Sequence, residues 1–218
     1  MKNIDCIIAR FFKEKVLPQK FKDKVREQVK SNPNEWNLRV MKCSKSLLAA
    51  VCFRETAKAI QRKKDSKIYQ PIGLYYSMFH MSLAMLWLNP RIKVAQLKQI
   101  HHTLLIKLVK NELELKLFIE SFFLVTLMKL KELRESCNYK FGYMNDLDLE
   151  VNSGIVNTDR AFSIAIKYIH QVLEVSNSLS QVKIGIADGF GDDIIDSYLT
   201  TKHKNNVIKY LLHNGLTA

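Results

Sequence analysis

The sequence predicts an all-α protein, a four- to five-helix bundle with a short C-terminal appendage. Only 7 glycines and 4 prolines occur in 218 residues, too few to turn the chain of a β-sandwich or barrel. Apolar residues recur at helical spacing through most of the chain. Residues with the chemistry of helix caps and stops stand where that spacing begins or ends.

Taken in order, residues 1–30 read as a basic amphipathic helix broken at Pro18, and SNPNEW (31–36) as a turn. From about Trp36 to Lys64, Leu38, Met41, Leu47, Leu48, Val51, Cys52 and Ala59 keep helical spacing, and the polar run QRKKDSK (61–67) ends it. Pro71 suits a first helical turn and Pro90 a stop, which sets a helix over about 71–89. Another follows over about 92–110. Asn111 has the chemistry of an N-cap, with Glu112 and Glu114 in the first turn of a long, mostly apolar helix reaching Ser136. Residues 137–157 are a loop by composition, and Asn157 or Thr158 caps the next helix, to about Leu179. Val182, Ile184 and Ile186 alternate as in a short strand. Asp192–Thr200 and Lys202–His213 read as short helices, the second closed by Asn214-Gly215. The chain thus divides into a basic helical extension (1–35), a helical bundle (36–178) and a C-terminal helical appendage (179–218).

The net charge of +13 is unevenly spread. Residues 1–67 carry 18 Lys/Arg against 7 Asp/Glu, whereas residues 141–218 carry 6 against 9. A basic first third suits an acidic partner: nucleic acid, an anionic surface or an acidic protein. Lys20, Lys22, Lys24, Arg26 and Lys30, with Arg62, Lys63 and Lys64, are the candidate nucleic-acid contacts. Phe11, Phe12 and Phe21 interleave with the first set; they suit either base stacking or the apolar face of a docking helix. Cys6, Cys43, Cys52 and Cys137 form no CxxC pair, and MKNIDCIIARFFKEK places charges within and after a very short apolar stretch, unlike a signal peptide. Free thiols in a reducing cytoplasm are expected. Nothing in the sequence calls for a cofactor or has the ligand spacing of a zinc site.

No acid, Lys or Arg occurs across the 23 residues between Lys67 and Arg91. That length could span a bilayer. Gln70, Pro71, Gly73, Ser77, His80, Ser82, Asn89 and Pro90 cut its apolar run short, so the expectation is a central bundle helix and no membrane span. At 100° per residue, Tyr75, Phe79, Ser82 and Leu86 share one face, and Tyr76, His80, Ala84 and Trp87 another. Two apolar faces need two covers, the bundle and a partner subunit. His80 is expected to be a buried, neutral, hydrogen-bonded core residue.

GLYYSMFHMSLAMLWL (73–88) resembles the second core helix of HEPN domains, with its Tyr-Tyr-x-Met-Phe pattern followed by small residues and leucines. QLKQIHHTLLIKL looks like that family's following histidine-containing helix, LMKLKELRESCNYKFG like its leucine-arginine helix, and DRAFSIAIKYIHQVLE like its closing helix. The resemblance covers roughly residues 36–178 and rests on the order and spacing of short motifs. It implies a four- to five-helix bundle that forms a homodimer and engages RNA in bacterial toxin–antitoxin, antiphage or RNA-processing systems. Active members are metal-independent endoribonucleases whose motif is an arginine followed, after four to six residues, by a histidine. Here Arg134 is followed after four residues by Tyr139.

Metal-free RNA cleavage needs a base for the 2′-OH proton, an acid for the leaving oxygen and a cation for the phosphorane. Histidine titrates near neutrality and suits the first two roles, whereas tyrosine titrates near 10. Tyr139 can still hydrogen-bond a phosphate or stack on a base, and Arg134 can hold a phosphate bidentately. His101 and His102 are adjacent in sequence and point about 100° apart, so one of them can reach the Arg134 pocket. Arg134, Tyr139, His101 and His102 are therefore the candidate catalytic residues. The plainer alternative pairs Arg134 with Glu135, Asp146 or Asp148 and leaves a non-catalytic module that docks RNA, a toxin, a nuclease or another protein. Asp192 and Asp196 stand one turn apart, as a Mg²⁺ pair would, but read better as helix-start acids favoured by the helix dipole.

Overall fold

A computed structural model describes residues 16–60, 69–139 and 147–177 of the protein. The predicted strand at 182–186, both C-terminal helices, Asp188 to Asp196, Cys6, Phe11, Phe12, Arg62, Lys63 and Lys64 lie outside them. Among the described residues all regular structure is helical: α1 Gln19–Ser31, α2 Pro33–Ile60, α3 Tyr69–Trp87, α4 Val94–Lys98, α5 His102–Leu108, α6 Ser121–Tyr139 and α7 Leu147–Asn177. No described helix is long and apolar enough to cross a membrane.

The turn expected at 31–36 shrinks to one residue. The Asn32 side chain accepts from the Glu35 N–H at 3.1 Å, and Pro33 occupies the first position of α2, where its missing N–H is harmless. Upstream, α1 buries Phe21 and Val25 completely. Phe21 meets Phe118 at 4.4 Å between ring centroids, and the Leu17 N–H donates to Gln171 Oε1 at 3.0 Å. The basic first helix therefore shares one hydrophobic core with the rest of the bundle.

Helix α3 is the centre. It packs against α2, α5, α6 and α7, and buries Leu74, Tyr75, Met78, Met81, Met85 and Leu86 fully. Each such side chain contributes roughly 1.5–3 kcal/mol by leaving water. Helices α2 and α3 run antiparallel. Gly73 near the start of α3 faces Ala57 near the end of α2, and Trp87 at the end of α3 meets Arg39 near the start of α2. A Cβ on Gly73 would stand 3.1 Å from Ala57 Cβ and 3.3 Å from the Phe53 carbonyl oxygen, so glycine is what lets the two backbones approach. A Cβ on Gly154 of α7 would meet only the side-chain ends of Leu74 and Leu130, each at 3.4 Å, an ordinary contact.

Arg39 is a structural residue that its position in a polar-apolar helix did not announce. Only 2% exposed, it donates to the carbonyls of Trp87 (3.2 Å), Asn89 (3.2 Å) and Ile92 (2.7 Å), and pairs with Glu35 at 2.9 Å. Helix ends leave carbonyls unbonded, and one guanidinium serves the end of α3 and the turn after it. On the opposite side, Asp159 of α7 joins Arg54 (2.7 Å) and Lys58 (2.9 Å) of α2.

Three expectations for the chain beyond α3 are corrected. Asn111 caps no long helix: it lies within a π-helical turn, Val109–Glu114, that continues α5. The chain then reverses before α6. Leu117 adopts φ 59°, and its N–H donates to Glu114 O at 2.8 Å while the Phe118 N–H donates to Leu113 O at 2.9 Å. This is a Schellman closure with leucine where glycine is usual, held by burial of Phe118 and Leu113. Nor does a loop persist to residue 157: α7 begins at Leu147, and Thr158 Oγ1 bonds the Gly154 carbonyl at 2.7 Å in mid-helix instead of capping. The expected helix over 92–110 is also divided, into α4 and α5, with residues 99–101 between them.

Candidate functional site around Arg134 and His102

The break between α4 and α5 fixes the two histidines differently. His101 has extended backbone just before α5 and is exposed; His102, the first residue of α5, turns inward and is half-buried. Its Nδ1 lies 2.7 Å from the Tyr75 hydroxyl, and its ring meets Phe79 at 4.9 Å between centroids. The Arg134 guanidinium lies over the other occupant of the site, with Cζ 4.5 Å from the centroid of the Tyr75 ring. Arg134 and His102 are thus brought against one aromatic ring from α6 and α5.

Arg134 is 13% exposed at the side chain, and its Nη2 donates to Glu135 at 3.3 Å. Its Nε is buried with no hydrogen-bond partner among the described residues. Glu135 also holds Lys131 at 2.9 Å, and that lysine hydrogen bond is the main reason its carboxyl stays below the ordinary range. Of the partners expected for Arg134, Glu135 is present; Asp146 and the side chain of Asp148 lie outside what the structure describes. Tyr139 is the last residue of α6, and its side chain is likewise outside the description.

The protonation states follow from burial and field. Desolvation pushes the Tyr75 hydroxyl up to about 12, so Tyr75 keeps its proton. Desolvation, then Arg134 and Lys131, lowers the His102 pKa, with Glu135 opposing. A neutral His102 carries one ring proton: either Nδ1 accepts from Tyr75 and Nε2–H is left to donate, or Nδ1–H donates to Tyr75 and Nε2 keeps its lone pair. The site therefore offers a fixed cation and, with Nε2 protonated, an imidazole N–H, the donors a phosphate needs. With Nε2 protonated His102 is a donor; with Nδ1–H bonded to Tyr75 its Nε2 lone pair can serve as a base.

The other predicted residues divide. Lys20, Lys24 and Lys30 are exposed, and Lys22 and Arg26 half-buried, on α1. Arg26 is paired to Asp23 at 2.9 Å, and Asp23 and Glu27 stand between the cations, so the α1 surface is mixed in sign. Phe21 faces the core and is closed to stacking. His80 is half-buried; its ring lies 5.4 Å from Phe53, almost parallel at 7°, and desolvation lowers its pKa. Cys43 and Cys137 are buried, and Cys52 is half-buried. A groove of about 440 Å³ between α6 and α7 is lined by Thr126, Lys129, Leu133, Ser136, Ser153 and Asn157 among others, but by none of the candidate residues. Among the described residues no three His, Cys, Asp or Glu side chains are grouped as a metal site would group them.

Tyr75 is the participant the sequence reading missed. A signal existed: a tyrosine at the centre of an otherwise uncharged helix needs a partner for its hydroxyl, and a histidine on a neighbouring helix is a natural one. Compared with family models, with curated proteins and with solved structures, the chain finds no match.

Proposed function

We propose that the protein is a HEPN-like, RNA-engaging helical bundle of a bacterial conflict or defence system, and that Arg134 and His102 hold an RNA phosphate. The observation that carries this reading is the shared packing of His102 and Arg134 on Tyr75, which sets an imidazole beside a fixed cation. The order of short motifs between residues 36 and 178 supports the family assignment. Electrophoretic mobility shift with a labelled RNA at two salt concentrations tests it. Binding should weaken steeply as salt rises, and Arg134→Ala should weaken it at both. Salt-insensitive binding would point instead to an apolar protein partner.

Cleavage is the further possibility within this reading, a metal-independent endoribonuclease with a variant active site, because a histidine does stand beside the arginine. The tautomer divides the two: Nδ1–H donating to Tyr75 leaves Nε2 as a base for cleavage, whereas Nδ1 accepting from Tyr75 favours a non-catalytic module. Incubating RNA with the purified protein in EDTA separates the two. Cutting that is lost in both Arg134→Ala and His102→Ala assigns the chemistry here; intact RNA alongside a stable complex assigns binding.

A further inference from the structure

Helix α3 is not covered all round. Tyr76, Phe79 and His80 lie one turn apart and are only half-buried, on a strip left open between α2 and α5. From α2, Phe53 leans over this strip. Its ring is 37% exposed and stacks on two residues at once, His80 (5.4 Å, 7°) and Tyr76 (5.5 Å, 29°). Phe79 continues the set to His102 at 4.9 Å, and His102 leads to Tyr75 and Arg134. The rings form one connected row, from a nearly flat, half-open aromatic stack at one end to a guanidinium at the other.

Resting on the RNA reading above, we infer that this row is a stacking platform for the bases of a single-stranded RNA whose phosphate is held at the Arg134 end. Aromatic faces accept any base, and single strands, unlike duplexes, can present them. Charge favours the same occupant. Around His102 stand Arg134 and Lys131 against one carboxylate, Glu135, and the chain carries +13 overall. A second copy of so basic a chain would bring like charges together, whereas a polyanion neutralises them. The rings also suit stacking better than a protein interface of aliphatic knobs and holes, because the Phe53–His80 pair already shows the parallel geometry that an intercalated base would extend.

Fluorescence anisotropy with labelled oligouridine and with a labelled RNA duplex provides the test. Phe53→Ala should weaken oligouridine binding about tenfold, within the range alanine substitution gives for one stacked base, and leave duplex binding unchanged. F53W should keep wild-type affinity. His80→Ala is a second, independent variant and should show the same selective loss. Because Phe53 is over one-third exposed, the unfolding midpoint of Phe53→Ala should stay near that of the wild type. Equal oligouridine affinity in the wild type, Phe53→Ala and His80→Ala would overturn the platform. If Arg134→Ala still weakens binding in that case, the phosphate site stands without it. A wild-type protein that binds no RNA overturns both readings. A shift from dimer to monomer in Phe53→Ala, with oligouridine affinity intact, overturns the platform by assigning the strip to a second copy.

Discussion

Arg39 and Arg134 are both arginines on long helices that reach inward, yet they are satisfied in opposite ways. Arg39 spends its donors on three backbone carbonyls and a carboxylate. Arg134 lies flat on Tyr75, touches one carboxylate, and has a buried Nε with no partner among the described residues. A saturated guanidinium is a strut, since any movement breaks several charge-assisted bonds together. A guanidinium held by a ring face and one partly exposed acid keeps binding capacity in reserve. The difference separates a structural cation from a functional one more sharply than burial does.

The contrast can be broken by substitution. The largest expected effect is at Arg39. Arg39→Met should lower unfolding free energy by about 3–5 kcal/mol, as breaking a buried ionic network does, read as a shift in the urea midpoint. Arg39→Lys should recover little, because an ammonium cannot reach all of these acceptors. Arg134→Met should instead change stability by no more than about 1 kcal/mol, while RNA affinity falls roughly tenfold. Equal destabilisation by the two variants would erase the distinction. Leu117→Gly serves as a control remote from both. Relief of the left-handed φ should stabilise the protein by about 1 kcal/mol and leave RNA binding alone, and a lowered melting temperature would contradict the strain assigned to that corner.

The smallest effect concerns protons. His80 and His102 both have pKa values below the ordinary 6.5, so the unfolded chain binds more protons than the folded one between the lowered values and 6.5. Their contribution to stability is complete above 6.5 and is lost as pH falls below it. Where Tyr75 donates to Nδ1, Tyr75→Phe removes a bond that favours neutral His102, so its pKa should rise and the acid-side loss of stability should become shallower. NMR titration of the His102 ring checks this; an unshifted midpoint would show that Tyr75 does not hold the tautomer.

Much of the fold was legible because it depends on local rules. Pro71 and Pro90 bracket α3, and its uncharged composition marks it as the central helix. The misreadings came from tertiary override of local signals. Leu117 does what glycine normally announces, so a reversal inside a continuous apolar run could not be seen. Gly154 and the polar residues around it read as loop, yet α7 passes through them, with Gly154 buried against Leu74 and Leu130. At the candidate site, adjacency alone told that His101 and His102 diverge, and the resemblance to the leucine-arginine helix of HEPN domains singled out Arg134. Their meeting point was hidden, because Tyr75 lies 27 residues from His102 and only packing brings it there. His80 was read as an ordinary core residue; the strip of α3 that leaves it half-open depends on where α2 and α5 end their coverage.

Gly73 gives the molecule a ruler. The atoms a side chain there would strike belong to Ala57 and to the carbonyl of Phe53 itself, so one missing methyl sets the distance between α2 and α3 where Phe53 overhangs Tyr76 and His80. The spacing of the surface rings is thereby dictated from inside the core. Any enlargement at this position acts as a wedge whose displacement is delivered to the aromatic row, and a change invisible from the surface would retune what the surface can grip.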